Sequence, residues 1–466
     1  MTTFHKINSD DIAYFRSLLP GRVFAGEEIS TDYSHDEMTE YGHFTPDALL
    51  QALSTEDVQK VLAYCNEKHI AVTPRGAGTG LCGGCVPIEG GVVLSTEKMK
   101  KVLEVDVRNM TATVEPGVLL MEFPKSLEGT GLFYPPDPGE KTATMGGNAM
   151  TNAGGMRAVR YGVTRDYILG MKVVLADGSL ITLGGKNVKT SSGYSLIDLM
   201  IGSEGTLGFL TELTVKLVPE PKTNLSLLVP FDDLDACIGA VPQVLLAGCD
   251  PTAVEFMERE VITCAETYLG KAFPDNSADA YLLIRLDGAS AAALKPSIDA
   301  LTDLLLSLGA KDVLLADTDE RKESIWSSRG AFLEAIKGST TTMDECDVVV
   351  PRDVIPAFVK KSVEIGKAVG VRVASFGHAG DGNLHIYVCR DGLSEDDWKT
   401  SCKKVMDALY AEAKALSGNV SGEHGIGHAK KNYLKESVGE KQVELMRGIK
   451  SAFDPNGILN PGKVIA

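Results

Sequence analysis

The sequence predicts an α+β protein of two domains, and three observations support that fold class. The first half places three loops rich in Gly, Ala, Thr and Asn between short strands. The second half twice repeats a strand–helix–strand pattern, and longer helical patterns follow towards the C-terminus. A chain of 466 residues is long enough for two or three domains that each bury a core.

Composition and charge narrow the class of function. The chain is 44% hydrophobic and 23% charged, which is typical of a globular protein, and its net charge is −17. That charge argues against nucleic acid or an anionic membrane as a partner, since both are polyanions. The sequence contains no apolar run of about 18 residues, the length that would predict a membrane span. The N-terminus does not resemble a signal peptide. Nine cysteines without regular spacing favour a reducing compartment, so we expect a cytoplasmic protein.

The first Gly-rich loop has the composition of an anion-binding loop. A capping sequence, Ser54–Asp57, starts a helix that runs to about Glu67, and a short strand follows at 70–73. Pro74–Gly84 then carries glycine at 76, 78, 80, 83 and 84, which lets backbone N–H groups converge without Cβ obstruction. The loop matches neither a P-loop nor a Rossmann fingerprint, because its spacing differs and a strand at 91–94 comes next. Alone, such a loop is as consistent with a simple turn.

Two more small-residue loops favour a large planar cofactor. They are Pro135–Gly155 and Ile201–Gly208. Around them the pattern predicts strands at 102–106, 111–115, 168–175, 180–183 and 210–217, and a helix at 119–129. Three such loops in one domain are difficult to explain without a bulky ligand.

Pro219-Glu-Pro221 marks the domain boundary, which gives predicted domains at 1–220 and 221–466. The predicted elements beyond it are strands at 225–231, 252–257, 280–286 and 312–316, with helices at 233–246 and 294–308. This order predicts a ferredoxin-like arrangement with one antiparallel sheet. Further helices are predicted at 320–337, 356–366, 396–416 and 441–453.

A His-containing hairpin suggests a metal site. Asp381-Gly382 favours a two-residue type I′ turn, which would place His378 directly opposite His385, with Cβ atoms about 4.5–5.5 Å apart. Glu423, in Ser-Gly-Glu-His-Gly, would add a third ligand and leave an open position, as in catalytic metal sites. This donor set suits Zn²⁺, Fe²⁺ or Mn²⁺. The alternative is a stacked imidazole pair without metal, but three of the eight histidines fall in these two motifs.

Cys82-Gly-Gly-Cys85 has the spacing of a redox pair or half a zinc site. We favour neither, because no second pair of this spacing occurs and the cysteines lie inside the first Gly-rich loop.

The three loops resemble the FAD-binding domain of the vanillyl-alcohol oxidase (PCMH-type) flavoprotein superfamily. The resemblance rests on Pro74–Gly84, on Thr-Met-Gly-Gly-Asn and Asn-Ala-Gly-Gly within Pro135–Gly155, and on Gly202–Gly208, and it extends to Phe453–Gly462. The chain is most similar to the D-2-hydroxyacid dehydrogenase branch, which includes D-lactate dehydrogenases, glycolate oxidase catalytic subunits and D-2-hydroxyglutarate dehydrogenases. The resemblance implies a PCMH-type FAD-binding domain and a ferredoxin-like substrate cap domain with C-terminal helices. About the last 15 residues would return to the flavin.

The resemblance also implies cofactor-binding residues. Those expected at the FAD pyrophosphate, ribityl chain, isoalloxazine or adenosine are Arg75, Gly76, Ala77, Gly78, Thr79, Gly80, Pro138, Thr144, Gly147, Asn148, Asn152, Ala153, Gly154, Glu204, Gly205 and Asn460. No first-half histidine lies in the Gly-rich loop, and only Cys82 and Cys85 are candidates for covalent attachment there. We therefore expect non-covalent FAD.

In the cap, the resemblance implies that Arg329 binds the substrate carboxylate, that His424 is the catalytic base and that Asn383 contacts substrate. Some relatives that take dicarboxylic acids carry a lysine a little before an Asp-x-x-x-Pro stretch. This chain has the acidic Glu345 near that place, so a short acid such as D-lactate is favoured. The implied reaction is proton removal from the metal-polarised hydroxyl by His424, with hydride transfer to FAD.

Reduced flavin needs an electron acceptor, and the sequence contains no ferredoxin-type cysteine run and no NAD fingerprint. The resemblance to lactate dehydrogenase subunits that work with an electron-transfer flavoprotein implies such a partner. The alternatives are a glycolate or D-2-hydroxyglutarate dehydrogenase or oxidase, and a non-catalytic FAD-binding electron-transfer scaffold.

Overall fold

The computed structural model describes residues 4–465, which form two compact units. Unit 1 comprises residues 4–154, 163–220 and 423–465. Unit 2 comprises residues 155–162 and 221–422. Unit 1 therefore combines the first part of the chain with its C-terminal segment, residues 423–465.

Unit 1 contains three sheets. Its strands are β1 (Val23–Ala25), β2 (Ala48–Gln51), β3 (Val72–Arg75), β4 (Val92–Ser95), β5 (Val102–Asp106), β6 (Thr111–Val114), β7 (Leu132–Phe133), β8 (Ile168–Val174), β9 (Leu180–Gly184), β10 (Phe209–Lys216) and β11 (Val218–Pro219). They form a four-stranded sheet in the order β1-β2-β4-β3, an antiparallel sheet in the order β5-β6-β10-β8-β9, and the pair β11-β7. Strands β2, β4 and β3 run parallel, so their residues are buried almost continuously.

Helices cover parts of unit 1. Its α-helices are Ser9–Leu18, Thr55–Lys68, Met145–Thr151, Leu196–Met200, Lys431–Val438 and Glu440–Phe453, and its 3₁₀ helices are Gly26–Glu28, Thr31–Ser34, Thr39–Tyr41, Phe123–Leu127 and Thr164–Tyr167. The predicted helix after Ser54 is confirmed, since the Ser54 hydroxyl accepts from the Asp57 amide at 3.2 Å. The predicted helix at 119–129 is wrong. Only the 3₁₀ helix Phe123–Leu127 forms there, with Pro124 in its first turn and Gly129, which has positive φ, shortly after its end.

Unit 2 is built on one antiparallel sheet of seven strands. They are β12 (Thr223–Phe231), β13 (Ala253–Glu258), β14 (Ala280–Gly288), β15 (Leu314–Ala316), β16 (Met343–Val349), β17 (Arg372–His378) and β18 (Asn383–Cys389), in the order β15-β12-β14-β13-β17-β18-β16. The first four strands have the ferredoxin-like order, as predicted. The extension by β17, β18 and β16 was not predicted, and it brings the His-containing hairpin into the same sheet as β13.

The helices of unit 2 are Ala158–Tyr161, Leu234–Gly239, Val241–Leu246, Arg259–Leu269, Ala291–Ser307, Asp319–Gly330, Phe332–Ser339, Ile355–Val369 and Glu395–Ala415, with a 3₁₀ turn at Arg352–Val354. The predicted helix at 233–246 is split at Ala240, where Gly239 precedes and Pro242 follows. The helix Arg259–Leu269 was missed.

The predicted register of the hairpin is wrong. His378 pairs with Asn383, and His385 pairs with Phe376, so residues 379–382 form a longer turn. Only Gly382 has positive φ (+91°), whereas a type I′ turn requires it at two residues. The Gly380 amide donates to the Val254 carbonyl of β13 at 3.0 Å, so the neighbouring strand holds the longer turn. The error is two positions, which leaves His378 and His385 on the same face.

Within residues 4–465, no helix combines the length and the apolar character needed to cross a membrane.

Candidate active site

In unit 2 the imidazoles of His378 and His385 converge at the end of the hairpin. Both residues are buried, and their rings are nearly perpendicular, at 86°. The two Nε2 atoms lie 3.4 Å apart. This is the separation at which two nitrogen donors can bind a common cation. The two histidines therefore support a metal site although they are not directly opposite each other in the hairpin.

Each histidine has a buried carboxylate on its other ring nitrogen. Glu255, from β13, places both carboxylate oxygens 2.8 and 2.9 Å from His378 Nδ1. Glu345, from β16, places Oε1 3.2 Å from His385 Nδ1. A carboxylate can only accept from Nδ1–H, so this arrangement leaves the Nε2 lone pairs available for a metal ion. The donor set therefore fits a divalent cation.

Arg329 shares one of these carboxylates. Its Nε and Nη2 atoms lie 2.9 and 2.6 Å from Glu255 Oε2, and its guanidinium lies 4.6 Å from the Phe376 ring centroid. Burial raises the pKa of Glu255, but the opposing effects of His378 and Arg329 are larger together and the net shift is downward. Glu255 is therefore an anion, and it binds the guanidinium of Arg329 and the imidazole of His378.

A second network fixes Asn383. Its Nδ2 donates to Asp347 Oδ1 at 2.7 Å and to the Val348 carbonyl at 2.9 Å. Asp347 Oδ2 accepts from the Ser421 hydroxyl at 2.8 Å and from the Gly422 amide at 3.2 Å. Within residues 4–465, Asn383 Oδ1 is buried and has no hydrogen-bond partner. The amide orientation is thus set by Asp347, which presents the oxygen as an acceptor.

In unit 1, Glu423 and His424 follow this network directly along the chain. The Glu423 Oε1 and His424 Nε2 atoms are 3.6 Å apart, and both side chains are mostly buried. Glu423 packs against Gly154, where a Cβ would lie 2.6 Å from its Oε2 atom. The buried Glu204 carboxylate accepts from the Ile426 and Gly427 amides at 2.7 and 2.8 Å, which fixes the chain just beyond His424.

The first Gly-rich loop has the features of an anion site. In the described residues, no amide from Gly76 to Gly80 donates a hydrogen bond to the protein. Arg75 is buried and donates to the Asp32 and His35 carbonyls and to Cys85 Sγ, so it braces the loop against the N-terminal segment. Its predicted contact with pyrophosphate stays a prediction.

Neighbouring side chains complete the loop's surroundings. Asp36 accepts from the Gly83 amide at 2.6 Å, and burial raises its pKa to about 6. Burial also raises the pKa of the Cys85 thiol, which does not favour a reactive cysteine pair.

The other predicted cofactor residues line the same unit. Thr144 accepts from the Gly147 amide and packs against Gly76, while Asn460 donates to the Gly84 and Glu204 carbonyls. Asn148 Nδ2 is buried and has no hydrogen-bond partner among the described residues. An orphaned buried donor and a row of free amides fit a phosphate-containing cofactor such as FAD.

Unit 1 therefore holds the predicted cofactor residues together with Glu423 and His424, and unit 2 holds His378, His385, Asn383 and Arg329. Sequence reasoning missed Glu255 and Asp347. Both are fully buried acidic residues. Glu255 interrupts the otherwise apolar run 253–257, and that mismatch was the available signal. Asp347 lies in a strand with two further acidic residues, so nothing local distinguished it.

Comparison with known proteins agrees with this arrangement. The family model "FAD linked oxidases, C-terminal domain" matches residues 220–464, and "FAD binding domain" matches residues 46–184. The chain belongs to the FAD-linked oxidase family. As a member of this family it is an FAD-dependent oxidoreductase.

Individual relatives of this FAD-linked oxidase cover nearly the whole chain. It is 49% identical to a D-lactate dehydrogenase of Anaerostipes hadrus, over 99% of this chain and 98% of that protein. It is 38% identical to the glycolate oxidase subunit GlcD of Bacillus subtilis, over 93% and 92%. Its fold matches p-cresol methylhydroxylase with a TM-score of 0.80 at 20% identity, over 97% and 96%. The predicted PCMH-type fold is confirmed.

Proposed function

We propose that this FAD-linked oxidase is a metal-dependent D-2-hydroxyacid dehydrogenase that oxidises D-lactate to pyruvate. The observation that carries the proposal is the convergence of the His378 and His385 Nε2 atoms, which lie 3.4 Å apart. Arg329 lies beside them, because it binds Glu255, the buried carboxylate that also binds His378. The similarity to a D-lactate dehydrogenase supports the choice of substrate.

Substrate binding follows from the charges in unit 2. Arg329 would pair with the substrate carboxylate, since its guanidinium is the cation of this buried cluster. Glu345, buried beside His385, would repel a second carboxylate on the substrate. A short monocarboxylic acid therefore fits better than a dicarboxylic acid.

Proton transfer is assigned to His424. An imidazole can accept and release a proton at neutral pH, which suits a general base. His424 would take the substrate's hydroxyl proton, and Asn383 Oδ1 would contact the substrate as an acceptor.

The cofactors have distinct residues in this proposal. His378, His385 and Glu423 would hold Zn²⁺, Fe²⁺ or Mn²⁺, and such a cation supplies Lewis-acid polarisation of the substrate hydroxyl when bound. The cofactor-binding residues named from the sequence would hold FAD non-covalently, and FAD supplies the hydride acceptor.

The remaining assignments concern organisation and partners. We propose residues 1–220 as the FAD-binding domain and 221–466 as the substrate cap, with about the last 15 residues returning to the flavin. An electron-transfer flavoprotein or another acceptor subunit would oxidise the flavin. A cytoplasmic location suits the nine cysteines, which form no disulfide among the described residues.

Glycolate is the second candidate substrate, because the second relative is named a glycolate oxidase subunit. Glycolate is the smaller acid and would fit the same carboxylate and hydroxyl contacts. A non-catalytic FAD-binding scaffold is the alternative of another class.

Anaerobic flavin bleaching tests the proposal. The metal-replete protein is mixed with D-lactate, L-lactate, glycolate or D-2-hydroxyglutarate, before and after treatment with a chelator. We expect rapid bleaching by D-lactate, loss of bleaching after chelation, and recovery with one divalent metal. Absence of bleaching by every acid would favour the scaffold, and bleaching that survives complete metal removal would exclude the metal's role.

A further inference from the structure

We propose that Glu255 is a positioning residue that fixes the metal-binding face of His378 and the guanidinium of Arg329 at the same time. This inference rests on the proposed function. It adds that one buried carboxylate, that of Glu255, serves both the proposed metal site through His378 and the proposed site for the substrate carboxylate through Arg329.

The hydrogen bonds to Glu255 show how one carboxylate serves two partners. Oε1 and Oε2 lie 2.8 and 2.9 Å from His378 Nδ1, and Oε2 also lies 2.9 and 2.6 Å from Arg329 Nε and Nη2. Glu255 has no solvent exposure, so these two side chains satisfy the carboxylate in place of bulk water. Its position along β13 is fixed by the sheet, which places both partners against a rigid acceptor.

The geometry sets what each partner can do. His378 must donate through Nδ1–H, so its Nε2 lone pair is directed to the metal side, beside His385 Nε2. In the described residues, Arg329 has Glu255 as its sole ion-pair partner, and two of its nitrogens are committed to it. The guanidinium can therefore meet a substrate carboxylate only from its remaining edge, in an orientation that Glu255 fixes.

A neutral amide would break this arrangement. Glu255→Gln replaces one acceptor oxygen by an NH₂ donor, while three N–H donors of Arg329 and His378 still require acceptors. At least one donor would lose its partner or rotate. Metal affinity and substrate binding should then fall together.

Glu345 provides a contrast within the same site. It pairs with His385 Nδ1 at 3.2 Å in the same manner, whereas the described ion pair of Arg329 is with Glu255. Glu345→Gln should weaken metal binding without a comparable effect on the substrate carboxylate.

The matched control is Glu258→Gln. Glu258 lies on the same strand and is mostly buried, and it accepts from the Ser375 hydroxyl outside this cluster. Burial raises its pKa, so an amide should be accommodated there.

The experiment measures two quantities on the full-length, FAD-containing protein. Calorimetric titration of the metal-free protein with Zn²⁺ and with Mn²⁺ gives metal affinity. Steady-state kinetics at saturating metal gives KM and kcat for D-lactate. We expect Glu255→Gln to weaken metal affinity about 10- to 100-fold and to raise KM about tenfold. Glu345→Gln should change metal affinity alone, and Glu258→Gln should change neither.

Several results would overturn the inference. Metal affinity in Glu255→Gln equal to that of Glu258→Gln would remove its role towards His378, and an unchanged KM would remove its role towards Arg329. If Glu255→Gln does not fold, Glu255→Asp replaces it, because that variant keeps the charge but withdraws the carboxylate. If the wild-type flavin is not reduced by any 2-hydroxy acid, the proposed function fails, while the metal titrations still test Glu255.

Discussion

His424 lies in a short segment whose neighbours on both sides are held by buried carboxylates. Asp347 accepts from the Ser421 hydroxyl and the Gly422 amide before it, and Glu204 accepts from the Ile426 and Gly427 amides after it. A general base must be held close to the proton that it removes. Fixing the backbone on either side limits the positions that this imidazole can adopt.

Replacement of this base separates catalysis from cofactor binding. We expect His424→Ala to slow flavin reduction by D-lactate by a factor of about 10² to 10⁴, because a positioned general base contributes about that much. FAD should stay bound, and anaerobic stopped-flow absorbance measures both. His5→Ala, at a surface histidine paired with Asp11, is the control and should reduce at the wild-type rate. Wild-type reduction in His424→Ala would remove the histidine from the mechanism.

The site residues that could be predicted from the sequence are those that lie in short local motifs. His378, Asn383 and His385 lie within eight residues, and Glu423 and His424 are adjacent, so each group was recognisable as a unit. Glu255 contacts His378 from 123 positions away, and Arg329 from 74. Nothing local to β13 indicates that its acidic residue has these partners, and the pairing of β13 with β17 had not been predicted.

At the scale of elements, the hairpin of β17 and β18 determines where the two imidazoles lie. Local turn preference predicted a tight turn at Asp381-Gly382, but the sheet imposes a longer one because β13 bonds to Gly380. The predicted face of each side chain is nevertheless correct, since a register shift of two positions preserves the alternation of side chains between the two faces of the sheet. Hydrophobic alternation could therefore be predicted from sequence, whereas the register depends on a neighbouring strand.

A single methyl group should test the turn. Gly382 has φ of +91°, and a Cβ there would lie 2.2 Å from the Val350 carbonyl oxygen. We expect Gly382→Ala to lower the free energy of unfolding by about 1–3 kcal/mol and to weaken Zn²⁺ binding, because His378 ends the strand before the turn. Denaturant unfolding and calorimetry measure the two effects.

Gly392→Ala is the matched control for the turn, since its Cβ would meet no atom within 4 Å and its φ is not positive. Equal unfolding free energies for the two variants would show that the turn tolerates a side chain.

At the scale of the whole molecule, the electrons that the flavin takes up from the substrate must leave through an acceptor. The sequence contains one flavin-binding domain and neither an iron–sulfur cysteine run nor an NAD fingerprint. Because we propose an electron-transfer flavoprotein as the acceptor, we expect it to reoxidise the D-lactate-reduced flavin faster than dioxygen does. Double-mixing stopped-flow absorbance compares the two rates. Rapid reoxidation by dioxygen, with stoichiometric hydrogen peroxide, would identify an oxidase.

Unit 1 is assembled from segments that are far apart in the chain, which affects the order in which the two units can fold during synthesis. Its residues come from both ends of the chain, and β3 receives Leu459 as a bridge partner at Val72, while Asn460 reaches Gly84. During synthesis, residues 221–422 leave the ribosome before the C-terminal segment does. The cap can thus complete its sheet while the flavin-binding unit is still missing its last residues. We therefore expect stable FAD binding only after residues 423–465 have been synthesised and have joined unit 1.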